Sequence, residues 1–262
     1  MFQKQSITLI FSLLGGVLLL FIIAPLLGLV LHSSPNEISE TIIDKEVRDS
    51  IILTLWSGML ATVITAFFAI PLSYLLARNE FAGKKIILGI IDLPVVIPHS
   101  AAGIALLTVI SQQGIIGKTG KLIGIEFPGH TAGIVIAMAF VSLPFLINAA
   151  RDGFAAVPER LEKAALNLGA SPFRTFISIS IPLAWRSIVS GLIMMFARGM
   201  SEFGAVVIIA YHPMITPVMI FERFGSFGLK YARPVAIIFI AVCLLFFIIL
   251  RYISNSNQNG KN

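Results

Sequence analysis

The sequence predicts an all-α polytopic membrane protein with about six transmembrane helices. Hydrophobic residues make up 57% of the 262 residues, charged residues only 12%, and the mean hydropathy is +0.94. Soluble domains are nearer a quarter charged, so this composition indicates an integral membrane protein. The apolar runs are close to the roughly 20 residues that a helix needs to cross a bilayer. The short segments of alternating polarity that are typical of a β-barrel do not occur.

The apolar runs place the spans at about residues 7–31, 50–77, 86–111, 131–149, 183–211 and 234–252, within a single domain of residues 1–262. A signal peptide is the alternative for the first run. That run is longer than the 7–15 apolar residues of a signal peptide and lacks a clear A-x-A cleavage site, so we interpret it as an uncleaved span.

The formal charge of +6 does not indicate a nucleic-acid partner in a chain this apolar. Loop charges that orient the spans explain it better. The chain has one cysteine, Cys243, which lies in an apolar run and excludes an intramolecular disulfide and a cysteine-based metal site. The four histidines are scattered singly, without an H-E-x-x-H pattern or paired carboxylates, so we predict neither a metal site nor a catalytic site.

The third apolar run contains two prolines and two polar residues. Pro94 and Pro98 each remove a backbone donor, so the stretch between them cannot form a straight helix. Broken helices at membrane depth are tolerated only against protein or a water-filled cavity. We therefore place Asp92, Pro98, His99 and the neighbouring Ser100 beside a transport pathway. For His99, satisfying a carbonyl of the broken helix is the alternative.

The fifth apolar run contains two residues of opposite charge. Arg198 and Glu202 lie four residues apart on one helical face, and ionisable groups at this depth normally face a bundle interior or a cavity. Their pairing is either structural or part of the pathway. Ser201 between them is a further candidate, as a hydrogen-bond donor to an anion.

Residues 158–182 form a polar interval between the fourth and fifth runs. Leucines and alanines recur at helical spacing from Leu161, and Gly169 ends the first helix with a left-handed cap. Ser171 and Pro172 then start a second helix as N-cap and first helical residue. We predict two short helices joined by a glycine hinge. Their apolar side chains form one exposed face, to which a partner binds.

The distribution of Lys and Arg orients the chain. With the N-terminus inside, the inner segments contain Lys4, Arg78, Lys84, Lys85, Arg151, Arg160, Lys163, Arg174, Arg186, Arg251 and Lys261. The outer segments contain Lys45, Arg48, Lys118, Lys121, Arg223, Lys230 and Arg233. This positive-inside bias predicts that both termini and residues 158–182 are cytoplasmic, in a multi-pass protein of the cell membrane.

The polar interval resembles the EAA loop of ABC importer permeases. The match consists of Glu162, Lys163, Ala164, Ala165, Gly169, Ala170, Ser171 and Pro172, followed by the I-P-L of residues 181–183. Lys163 stands where the family commonly has a second glutamate. An amphipathic connector on the membrane surface is the alternative reading of this interval.

The resemblance implies a type I ABC importer permease fold, with residues 158–182 as coupling helices that bind an ATP-binding subunit. The chain has no G-x-x-x-x-G-K-[ST] loop, so we expect it to bind no cofactor, with ATP and Mg²⁺ bound by the partner. The expected assembly is a homodimer in membrane lipid with two ATP-binding subunits and an external oxyanion-binding protein.

The segment R-x-x-x-E-F-G-A at residues 198–205 resembles the molybdate/tungstate branch of the oxyanion permeases, especially its archaeal members. Sulfate permeases have a related segment, so a permease for sulfate or another oxyanion is the alternative substrate assignment. An ion-coupled secondary transporter, with Asp92 or Glu202 as its acidic residue, and an intramembrane enzyme are the alternatives from other classes.

Overall fold

The computed structural model describes the backbone of residues 2–256 and the side chains of residues 7–252. Thirteen α-helices and one π-helical turn account for almost all of this part of the chain, which confirms the predicted all-α class. The helices are α1 (Phe2–Leu31), α2 (Pro35–Ile43), α3 (Lys45–Arg78), α4 (Lys84–Val96), α5 (His99–Ile110), α6 (Ile115–Leu122), α7 (Thr131–Ala156), α8 (Glu159–Asn167), α9 (Pro172–Thr175), α10 (Ile181–Met200), α11 (Gly204–Ile209), α12 (Thr216–Phe227) and α13 (Leu229–Ser256).

Five helices within the described residues are long and apolar enough to cross a membrane, or six if the bent pair α4–α5 is one span. The helix α7 is the centre of the bundle and packs mainly against α10 and α3. Its buried side chains, which include Ile134, Met138, Leu146 and Phe154, form the core with small residues of the facing helices. The helix α1 makes few contacts and exposes its apolar side chains.

Most spanning helices extend beyond their apolar runs. The helix α7 continues to Ala156, beyond the predicted end at residue 149, and α13 begins at Leu229, before the predicted start at residue 234. Helical hydrogen bonding continues through polar residues once a helix is established, whereas hydropathy marks only the part that suits hydrocarbon.

The predicted break in the third run lies at its second proline. The helices α4 and α5 meet at 114°, with Ile97 and Pro98 between them. Pro94, in contrast, lies inside α4 and is buried. The first proline is therefore accommodated within the helix, and the second redirects the chain.

The helix that contains most of the predicted fifth span, residues 183–211, differs from that range at both ends. A helix of 29 residues runs from Pro172 to Met200 and includes α9, the π-helical turn Phe176–Ser180 and α10. The wide turn directly precedes Pro182, whose missing N–H would leave a carbonyl unpaired in a regular α-helix. At the other end α10 stops at Met200, and residues 204–209 form the separate short helix α11.

Candidate coupling and pathway sites

The helix α8 and the start of the long helix form a projecting corner at one end of the bundle. The helix α8 begins at Glu159, with Pro158 as its N-cap. Gly169 has φ +86°, a left-handed conformation that favours glycine. The Ser171 hydroxyl accepts a hydrogen bond from the Arg174 amide at 3.3 Å. The second predicted short helix is not separate, because it continues directly into α10.

The outer surface of this corner exposes large apolar side chains among charged ones. Leu168 is 89% exposed and Phe173 is 73% exposed, and the apolar patch continues over Leu161 and Leu166. Ala164 is also exposed, whereas Ala165 is half-buried and accepts a hydrogen bond from the Ala170 amide at 3.0 Å. Leucine and phenylalanine side chains this exposed at the end of a bundle, next to charged residues, are typical of a protein-binding surface.

Glu162 faces away from this surface and into the bundle. Its Oε1 accepts hydrogen bonds from Arg78 Nη2 and from the Ser180 hydroxyl, each at 2.7 Å. Its Oε2 accepts from Arg78 Nε at 2.9 Å and from the Tyr74 hydroxyl at 3.3 Å. The carboxylate therefore joins α8 to α3 and to the π-helical turn.

The ion pair between Arg78 and Glu162 is buried and well aligned. The side chains of Arg78 and Glu162 are only 11% and 8% exposed, and the guanidinium binds the carboxylate with two parallel hydrogen bonds. Burial would raise the pKa of the Glu162 carboxyl, but hydrogen bonds from Arg78 and Ser180 outweigh it and lower the pKa below its usual range. Glu162 is therefore ionised at neutral pH.

Lys163 points the other way. Its ammonium lies 2.8 Å from the Glu159 carboxylate, and both side chains are largely exposed. Exposed pairs of this kind contribute little stability, so the lysine is not required for the corner to fold.

The second site lies where the two broken segments meet. Arg198 Nη2 lies 3.0 Å from Glu202 Oε2, and His99 Nδ1 lies 2.6 Å from the same oxygen. His99 Nε2 is 2.9 Å from Arg198 Nη2. An imidazole with its proton on Nδ1 donates to Glu202 and accepts from Arg198, so the three side chains form one closed network. We call these three residues the charged cluster.

Glu202 is the buried centre of the charged cluster. Its side chain is 1% exposed, whereas Arg198 is 23% and His99 33% exposed. Its second oxygen, Oε1, accepts a hydrogen bond from the Ala205 amide at 2.8 Å. Glu202 therefore binds both Arg198 and His99 and also accepts from the amide of Ala205, near the start of α11.

Two glycines allow α5 and α11 to pack closely. A Cβ on Gly103 would lie 2.9 Å from Ile208 Cβ and 3.0 Å from the Ala205 carbonyl oxygen. A Cβ on Gly204 would lie 2.7 Å from His99 Cβ. Only residues without a side chain fit at these two positions, and the packing fixes His99 against Glu202.

The charged cluster lies in the half of the bundle away from α8. Gly199, next to Arg198, approaches Met138 and Ser142 of α7. Met138 is seven residues from the start of α7, about 10 Å along the axis, while the other end of α7 leads into α8.

Of the remaining pathway candidates, Ser201, Pro98 and Ser100 lie around the charged cluster, and Asp92 lies apart from it. The Ser201 hydroxyl accepts a long hydrogen bond of 3.4 Å from Arg198 Nη1, and Ser201 is the C-cap of α10. Pro98, which is exposed, is the N-cap of α5. Ser100, also exposed, packs its backbone near Gly204. Asp92 instead accepts a hydrogen bond of 2.6 Å from Asn148 on α7.

Sequence reasoning missed three polar partners. Arg78 and Ser180 hold Glu162, and Asn148 holds Asp92. An asparagine inside an apolar run was a usable signal, because such residues need a partner within the bundle. Arg78, at the end of an apolar run, looked like an ordinary loop charge, and Ser180 gave no signal.

Residues 69–258 match the family model described as "Binding-protein-dependent transport system inner membrane component". The chain is 39% identical over 260 residues to the molybdate/tungstate transport system permease protein WtpB of Pyrococcus furiosus, covering 98% of this chain and 99% of that protein. It is 35% identical over 211 residues to a probable sulfate transport system permease protein of Chlorokybus atmophyticus, covering 79% of this chain and 74% of that protein.

The fold is similar to that of a solved transporter. A chain of a bacterial alginate ABC transporter, solved with an alginate-pentasaccharide-bound periplasmic protein, superposes with a TM-score of 0.75 over 98% of this chain and 96% of that chain. The two sequences are 17% identical, so the similarity concerns the fold alone.

Proposed function

Because the chain belongs to the family of binding-protein-dependent transport system inner membrane components, we propose that it is the permease through which an ABC importer carries molybdate and tungstate. The observation that carries this assignment is the 39% identity to a molybdate/tungstate permease over almost the whole of both chains. The sulfate permease is less similar, at 35% identity, and sulfate is the second candidate substrate.

A system of this family uses an ATPase and a binding protein, and the chain is the membrane component rather than the ATPase. We place it as a homodimer with two ATP-binding subunits, since one chain offers few helices to enclose a pathway. ATP and Mg²⁺ bind to those subunits, and this chain itself binds no cofactor. The exposed apolar patch on α8 and α9 is the surface that seats the ATP-binding subunit.

The positive-inside bias supports an orientation with both termini and α8 in the cytoplasm. The charged cluster then lies in the outer half of the membrane, on the side from which the binding protein delivers the anion. Arg198, which is partly exposed, offsets part of the charge of a passing dianion, and Glu202 neutralises Arg198 when no anion is present. His99 is partly exposed beside both groups and faces the same path. Asp92 stays a pathway candidate, and its Oδ1 accepts a hydrogen bond from Asn148.

Uptake measurements test the substrate. In proteoliposomes that contain the permease, its ATPase and its binding protein, we expect ATP-dependent uptake of labelled molybdate and tungstate. Unlabelled tungstate should inhibit molybdate uptake at least tenfold more effectively than sulfate does. Preferential inhibition by sulfate would instead assign the chain to sulfate, and uptake without ATP would indicate an ion-coupled transporter.

Leu168→Glu tests the docking surface. The side chain is 89% exposed, so the substitution leaves the permease folded but places a charge in the apolar contact with the ATPase. A centrally placed apolar contact is worth about 2 kcal/mol or more, so we expect co-purification of the ATPase to weaken about 30-fold or more.

Leu122→Glu is the matched control for this substitution. Leu122 is 86% exposed on α6, at the opposite end of the bundle. The control should co-purify with the ATPase as the unmodified permease does. Equal binding by both variants would place the docking surface elsewhere.

A further inference from the structure

The buried contact between Arg78 and Glu162 connects more elements than any other ion pair among the described residues. Glu162 lies on α8, and Arg78 is the last residue of α3. Arg78 Nη2 also donates to the carbonyl of Val157, the C-cap of α7, at 3.0 Å. Through Ser180, the same carboxylate reaches the π-helical turn that leads into α10.

Aromatic packing supports this junction. The Tyr74 ring packs against Phe154 of α7 at 5.3 Å and against Phe176 of the π-helical turn at 4.8 Å between centroids. The Arg78 guanidinium lies 5.8 Å from the centre of the Tyr74 ring. The ion pair is thus shielded from solvent, and its members have fixed positions.

The motif residue Glu162 therefore does not belong to the surface of the corner that faces a partner. Its carboxylate is directed into the chain, and all its hydrogen bonds go to α3 and to the start of the long helix. A helix that is bound by a partner on one face needs a rigid attachment on the other face if its movement is to reach the spans. The hinge at Gly169 does not provide this attachment. A Cβ built on Gly169 would meet no packed atom within 4 Å, so no neighbouring element packs against the hinge there.

We propose that the Arg78–Glu162–Ser180 contact is the attachment that transmits movement of α8 to α3 and α10, and that Glu162 acts as a positioning residue within the permease rather than as a contact to the ATPase. This inference rests on the proposed coupling function. It also separates two roles on α8. The exposed apolar patch binds the ATP-binding subunit, and the buried carboxylate of Glu162 connects α8 to α3 and α10.

Glu162→Gln tests the proposal in the complete reconstituted complex. Glutamine is nearly the same size but is uncharged, so it cannot accept both guanidinium hydrogen bonds as an ionised fork. The readout is the number of anions imported per ATP hydrolysed, with whichever anion the unmodified complex carries. We expect this ratio to fall about tenfold, while the ATPase stays bound to the permease. A ratio within a factor of two of the unmodified complex would overturn the proposal, as would loss of ATPase binding by a folded permease.

Glu80→Gln is the matched control. Glu80 is also near the end of α3 and forms an ion pair, with Lys84, but its side chain is 87% exposed. It should not change the import ratio, and an equal loss in this variant would also overturn the proposal.

Ser180→Ala resolves the outcome if Glu162→Gln does not fold. It removes one hydrogen bond and keeps the ion pair, so we expect a two- to fourfold fall in the import ratio at an unchanged melting temperature. An unchanged ratio contradicts a transmitting role. Every import ratio is compared with that of the unmodified complex. If the substrate assignment is wrong, the unmodified complex itself fails to import molybdate or tungstate, whereas the comparison between variants is unaffected.

Discussion

Replacing Glu202 by alanine is expected to lower the free energy of unfolding by about 3–5 kcal/mol, because it removes the buried carboxylate of this ion pair and leaves the partly buried Arg198 without its counter-ion. His99 loses its partner as well, and so does the amide of Ala205. A cation without compensation inside a membrane bundle is costly, and the break between α10 and α11 loses the contact that fixes it. Thermal unfolding of the detergent-solubilised permease measures the loss, and anion uptake should fall with it.

Glu126→Ala is the matched control for this substitution. Glu126 also lies near a histidine, with its carboxylate 3.6 Å from His130, but both side chains are more than half exposed. We expect a change of less than about 0.5 kcal/mol. A Glu202 variant that is as stable as this control would show that the charged cluster does not hold the two broken segments together.

Gly103→Leu is expected to destabilise the packing of α5 on α11 strongly. Its Cβ alone would lie 3.0 Å from the Ala205 carbonyl oxygen and 3.1 Å from Ala205 Cα, so α11 must move away from α5. Overpacking of this kind costs about 1–3 kcal/mol, and here it also separates His99 from Glu202. We expect lower thermal stability and uptake reduced at least tenfold.

Gly89→Leu distinguishes this clash from a general effect of a larger residue. Gly89 lies on α4 of the same bent pair, and no atom lies within 4 Å of the position of its Cβ. A leucine there should leave the stability unchanged or slightly raised, because leucine forms helix better than glycine. Similar losses in both variants would contradict the close packing of α5 on α11.

The features that sequence could predict are those governed by local chemistry. Hydropathy located the long apolar helices, the pair Pro94 and Pro98 located the bend to within a few residues, and Gly169 and Ser171 located the end of one helix and the start of the next. Each depends on the properties of one residue or one run, and each is visible without knowing what packs against it.

The features that sequence could not predict depend on partners far along the chain. The spacing of Arg198 and Glu202 suggested a pair on one continuous helix, but α10 ends before Glu202. The pair forms because the chain turns there, and His99, about a hundred residues away, completes it. In the same way, the pattern around Glu162 gave its position on α8 but not that it faces inward, because Arg78 comes from another span.

The length of the helix from Pro172 to Met200 has a mechanical consequence. At 29 residues it is a rod of about 40 Å with no break between the corner at one end and Arg198 at the other. If the helix is held at Ser180 by the contact with Glu162, about 30 Å of it extends from there to Met200, and a tilt of about 10° displaces the far end by about 5 Å. A small rotation of the corner would thus become a displacement of several ångströms beside the charged cluster.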